Sequence, residues 1–188
     1  MPPRSRRPPP APPEARRHGP STEDAPRRPR AHQGGRVNDR DAGHARWMRA
    51  AIELARENPR APFGAVIVDP ARGEIVARGV NAAREDPSAH GEIAALRDLW
   101  ATGAPERPQD LVLYTTAEPC PMCQGALLWA RLGGVVWGTS IPTLVKLGWD
   151  QIDLRAAELV ARTDFLSPTL VGGVLEAETD ALFAAVGR

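Results

Sequence analysis

The sequence predicts an α/β fold, a five-stranded sheet with helices packed on its faces. Three observations predict it. Short runs rich in Val and Ile, such as "FGAVIVDP" at 63–70 and "GVVWG" at 134–138, alternate along the chain with runs of helical periodicity. The length of 188 residues suits one ordinary domain, and a hydrophobic fraction of 42% supplies a core without disulfide staples. Residues 1–36 hold ten prolines and almost no large apolar side chains, so that stretch is expected to be a disordered Pro/Arg-rich tail and 37–188 the folded domain.

The ordered region is expected from about His44. In "HARWMRAAIELAREN", Trp47, Ala51, Leu54 and Ala55 fall at helical spacing, and Asn58-Pro59 ends the run. "FGAVIVDP" follows as a buried strand, "ARGE" as a hairpin turn and "EIVARGVN" as the antiparallel partner. The polar loop "AAREDPS" leads into a helix, "AHGEIAALRDLWAT". "LVLYTT" reads as a third strand, "CPMCQGALLWAR" as a helix and "GVVWG" as a fourth strand. "DLRAAELVAR" is helical, "PTLVGGVL" is a short fifth strand and "EAETDALFAAVG" closes the chain as a helix.

The formal charge of +1 divides unevenly. Residues 1–36 carry nine Arg against three acids, whereas 37–188 carry 15 basic and 20 acidic residues, a net −5. A broad basic footprint for nucleic acid is therefore absent from the domain. The Arg-rich tail suits RNA or acidic headgroups, but reads first as solvated chain, or as translated leader before an alternative start at Val37. No apolar run approaches the roughly 18 residues that span a bilayer, and the N-terminus lacks the apolar stretch of a secretory signal. A cytoplasmic protein with no membrane partner is expected.

The two cysteines of the chain, Cys120 and Cys123, are too close to brace a fold by closing a long loop. Set at i and i+3 in a first helical turn, they point to one side and can chelate one ion. Partial positive charge at a helix start favours their thiolates. His90, at the start of the preceding helix, adds a neutral nitrogen. His18 and His32 lie in the tail and His44 starts the first helix, so none is an obvious fourth ligand. Three ligands leave a fourth position for water, which is the catalytic rather than the structural arrangement of zinc. Glu92, two residues from His90, can reach that water as a base. A cysteine pair alone also suits redox chemistry or a structural clip, but neither needs the upstream histidine and glutamate.

His90-Gly91-Glu92 with Pro119-Cys120-Pro121-Met122-Cys123 is the H-x-E and P-C-x-x-C signature of zinc nucleobase deaminases. The resemblance to the cytidine-deaminase-like superfamily covers about residues 43–188. "PFGAVIV", "DPSAHGEIAALR" and "LYTTAEPCPMCQGALLWAR" resemble its guanine deaminase and transfer-RNA adenosine deaminase branch. The resemblance implies a three-layer α/β/α fold with a mixed five-stranded sheet, and one Zn²⁺ per subunit on His90, Cys120 and Cys123. It implies that Glu92 is the catalytic proton carrier. Substrate contacts follow from it at Asn81, at backbone near Gly91, and at Phe63 as an apolar pocket wall; Asn81 also suits a turn that satisfies its own backbone.

The implied reaction is hydrolytic release of ammonia from a small-molecule base or nucleoside, guanine first, with transfer-RNA adenosine or cytosine as alternatives. Gly91 in place of the usual Ala, Gln151 in "GWDQ" where guanine deaminases carry an acid, and the ending "LFAAVGR" depart from the guanine branch. Trp100, Trp129, Trp137 and Trp149 are spaced as core and interface residues, and relatives commonly pair, so a homodimer is expected.

Overall fold

A computed structural model describes residues 37–186, with side chains from 43 onward. The expected disordered tail of 1–36 lies outside the described residues. The first helix, α1, spans Val37–Ala55 and begins seven residues before His44. The polar stretch "VNDRDAG" carries no apolar period, which is why periodicity places the start too late.

β1 (Gly64–Asp69) and β2 (Glu74–Val80) form an antiparallel hairpin. Its turn is fixed by Asp69, whose Oδ1 accepts from the N–H groups of Ala71 and Arg72, and by Gly73 at φ +66. α2 (Gly91–Ala101) returns the chain to β3 (Val112–Ala117), which pairs antiparallel with β1. α3 (Pro121–Trp129) then crosses to β4 (Gly134–Thr139), parallel to β3. α4 (Ile141–Lys146) and α5 (Ala156–Val160) precede β5 (Thr169–Val171), which is parallel to β4, and α6 (Glu176–Ala184) ends the fold. The sheet order is β2-β1-β3-β4-β5, a mixed sheet of five strands.

Strand alternation splits the core between two faces. Ala65, Ile67, Leu113, Val135 and Trp137 face Ala95 and Leu99 of α2 and Leu127 of α3. Val66, Val68, Tyr114 and Val136 face Met48, Ala51 and Ile52 of α1. Helices thus cover both sides, as in a three-layer α/β/α fold. At Gly79 the backbone of α2 comes so close that an added Cβ would lie 2.1 Å from the Gly91 carbonyl oxygen and 2.2 Å from the Ala95 nitrogen. Only glycine lets the start of α2 seat this deeply on β2.

Two differences from the sequence reading stand out. α4 was not expected: it starts on Ser140, whose Oγ accepts from the Thr143 N–H, and is too short to show a helical period. α5 covers half of "DLRAAELVAR", because Arg155 is its N-cap and the backbone before it has left the helix. Among the described residues, no helix is long and apolar enough to cross a membrane.

Candidate active site

Two helix starts meet at one edge of the sheet. His90 is the N-cap of α2 and Cys120 the N-cap of α3, both in extended backbone conformation, and neither side chain caps its own helix. An N-cap side chain ordinarily spends its polar atom on the exposed N–H groups of the first turn. Here both turn instead to a common point, joined by Cys123 from the first turn of α3. The three ligand atoms lie within 4.8 Å of one another. Each sulfur is 3.6 Å from His90 Nδ1. Tetrahedral zinc, with bonds of about 2.3 Å to sulfur and 2.0 Å to nitrogen, separates such atoms by about 3.6 Å. The residues therefore fit the ion.

The electrostatics agree. The Cys120 pKa is lowered to about 4, first by a hydrogen bond from Cys123 and then by His90. That bond, made to a thiolate, pushes Cys123 up, with burial adding to it. Cys120 raises His90 in turn. The cluster thus favours a thiolate on Cys120, and a divalent ion held there would compete with the protons on its ligands.

Glu92 is buried beside the trio, and burial is the main cause of its raised pKa, followed by the Cys120 charge. Its Oε1 accepts from the Thr115 hydroxyl at 3.3 Å. A pocket opens here, lined by Phe63, Asn81, His90, Glu92, Glu118, Cys120 and Gln151. Phe63 forms a wall, its ring T-shaped to Trp149 at 5.1 Å and tilted on Phe183 at 4.8 Å between centroids. Asn81 stands at the pocket and in a turn. It lines the pocket, and its Oδ1 accepts from the Ala83 N–H at 3.3 Å, which leaves the Nδ2 donors uncommitted among the described residues.

Gly91 is buried behind the pocket and is not part of its lining. A Cβ there would lie 2.7 Å from the Phe63 carbonyl oxygen, so a side chain at this position would force the backbone of Phe63 or the start of α2 to shift. His44 stands apart from the cysteines, its Nδ1 3.0 Å from the Tyr114 hydroxyl.

Three side chains were not anticipated: Thr115, Glu118 and Arg155. Thr115 and Glu118 had a signal, polar residues closing an otherwise apolar strand run in "LYTTAEP". Arg155 had none, since its partner lies 37 residues away.

Comparison with known proteins places this geometry. Residues 42–139 match the family described as the cytidine and deoxycytidylate deaminase zinc-binding region. The chain is 36% identical over 143 residues to the guanine deaminase of Bacillus subtilis, covering 66% of this chain and 90% of that one. It is 32% identical over 153 residues to the tRNA-specific adenosine deaminase of the same organism, covering 76% and 87%. It is also 40% identical over 139 residues to the tRNA(Ile)-lysidine synthase of Deinococcus radiodurans, but spans only 23% of that longer protein against 73% of its own length. A crystal structure of NE0047 in complex with 2,6-diaminopurine superposes with a TM-score of 0.65 at 27% identity, covering 77% of this chain and 81% of that one. Zinc-ligand chemistry, sheet order and sequence agree, and the chain belongs to the cytidine and deoxycytidylate deaminase zinc-binding family.

Proposed function

We propose that this protein hydrolytically deaminates a nucleobase or nucleoside, guanine being the first candidate. The observation that carries this reading is a buried carboxylate, Glu92, set beside three converging ligand atoms in a pocket with an aromatic wall. Zinc held by His90, Cys120 and Cys123 supplies Lewis-acid activation of water. Glu92 takes one proton from the attacking water and gives it to a ring nitrogen, then carries a second, from the hydroxyl now on the ring carbon, to the amino group, which leaves as ammonia. Burial raises its basicity, which suits a group that must hold a proton between two transfers. Phe63 stacks the base, and the Nδ2 of Asn81 and the amide of Gln151 offer hydrogen bonds to its edge.

Small substrates are favoured over RNA by charge. The groove beside Asn81 is lined by Arg60 and Arg84 together with Glu57 and Glu85, and 37–188 carries net −5. Phosphate contacts need the opposite balance. Transfer-RNA adenosine and cytosine are the alternatives. An ammonia assay over guanine, cytosine, adenine, their nucleosides and a transfer-RNA anticodon stem-loop decides the matter. Release from guanine is expected, from protein carrying about one zinc per subunit. Release from the stem-loop alone overturns the choice of substrate, and metal-free active protein overturns the mechanism.

The catalytic domain in this reading is 37–188, working in the reducing cytoplasm that keeps Cys120 and Cys123 as free thiols. It works as a homodimer. Trp129 on α3 is 76% exposed and stacks on Phe165, with Met122 exposed one heptad earlier on the same helix. Such an aromatic face is typical of subunit contacts. Sedimentation should report twice the chain mass; a monomer at micromolar concentration would refute the pairing.

A further inference from the structure

Glu118 lines the pocket, yet both of its carboxylate oxygens are engaged by the protein itself. Its Oε1 accepts from Arg155 Nε at 2.8 Å and from the Ala156 N–H at 3.0 Å. Its Oε2 accepts from Arg155 Nε at 2.7 Å and from the Ile141 N–H at 3.1 Å. Arg155 Nε carries one hydrogen, shared between the two oxygens, so three N–H donors engage a carboxylate that offers about four lone-pair sites.

The partners define what the carboxylate holds. Ile141 is the first residue of α4 and Ala156 the first of α5. Both ends of the segment 141–156 are therefore tied to one side chain. Between them the chain leaves α4, turns through Gly148 at φ +85, and runs without helix or strand to Arg155. That irregular stretch carries Trp149, which backs the Phe63 wall, and Gln151, which lines the pocket. Trp149 is held further by its indole N–H, which donates to the Phe183 carbonyl oxygen at 3.3 Å, and by its backbone N–H, which donates to the Leu144 carbonyl oxygen at 3.0 Å. The Glu118 side chain is 1% exposed and that of Arg155 is 39% exposed, so the carboxylate is sealed inside and the guanidinium closes it from solvent.

We infer that Glu118 and Arg155 are positioning residues, a latch that fixes segment 147–155 as one wall of the substrate pocket. The inference rests on the pocket being the substrate site. Substrate acceptance passes through this latch, while the zinc ligands and Glu92 stand on other elements. Glu118 thus acts through Trp149 and Gln151 without touching the reacting atoms.

The test compares wild type with Glu118→Gln, Arg155→Ala, Arg155→Lys and the double variant Glu118→Gln/Arg155→Ala. Two readouts are taken from metal-loaded protein: amide hydrogen exchange by peptide, and kcat and KM on the substrate found by the ammonia panel. Exchange over 147–156 should quicken about tenfold or more in Glu118→Gln and in Arg155→Ala, with the peptide spanning 90–100 unchanged. KM should rise about tenfold with kcat within about threefold. Lys at 155 keeps the charge and should recover part of both effects, and the double variant should be no worse than the worse single, since both break one contact. Unchanged exchange over 147–156, or a fall in kcat with KM constant, overturns the latch. Should Glu118→Gln fail to fold, the more exposed Arg155→Ala carries the comparison. Failure of the functional reading looks different: wild type then releases no ammonia from any substrate, and hydrogen exchange alone decides the latch.

Discussion

Gln in place of Glu92 is expected to lower turnover by about a thousandfold while the protein keeps its metal, since a positioned general acid–base group contributes roughly 10²–10⁴ in rate. The exchange is nearly isosteric, and the Thr115 hydroxyl can still donate to the amide oxygen as it does to Glu92 Oε1. Geometry is preserved and only the capacity to carry a proton is removed. Burial disfavours the charge of Glu92, so the neutral amide costs nothing in folding and the unfolding temperature should stay level or rise. Zinc content, melting temperature and ammonia release on the same preparation check all three statements. Loss of zinc together with activity would make Glu92 a ligand; retained turnover would remove it from the mechanism.

Alanine at Gly79 is expected to damage stability and metal binding together. The new methyl would meet the Gly91 carbonyl oxygen and the Ala95 nitrogen, both backbone atoms of α2 that cannot rotate aside. The helix must lift from β2, and because the clash is with backbone the cost should reach the upper end of the roughly 1–3 kcal/mol usual for overpacking a core. His90 sits at the start of that helix and moves with it, away from sulfurs that ride on α3. Denaturant unfolding and zinc affinity should therefore fall in step. Gly125→Ala is the control: nothing lies within 4 Å of its added Cβ, and a helix-interior glycine should gain about 0.5–1 kcal/mol on becoming alanine. Stable Gly79→Ala protein with normal zinc would show that α2 is not held against β2 in this way.

Legibility in the sequence followed the range of the interactions. The five strands and the long helices announce themselves through runs of five to eleven residues whose periodicity is local. So does the ligand set, because Cys120 and Cys123 share a helical turn and His90 opens the helix before. Glu118 and Arg155 meet only because two short helices begin side by side, and nothing in "DLRAAELVAR" distinguishes an N-cap arginine from a solvated one. The tryptophans show the same limit. Trp137 on β4 and Trp149 after α4 are buried, while Trp100 on α2 and Trp129 on α3 are partly or largely exposed, a division set by long-range packing rather than by local pattern.

Phe183 stands behind Phe63 rather than in the pocket, with Trp149 completing a nest of three rings. α6 thereby helps set how far the pocket's aromatic panel can recede. Trimming that one ring should widen the slot for bulkier heterocycles and leave the hydrolytic apparatus intact, so breadth of diet and chemical competence are separately adjustable in this molecule.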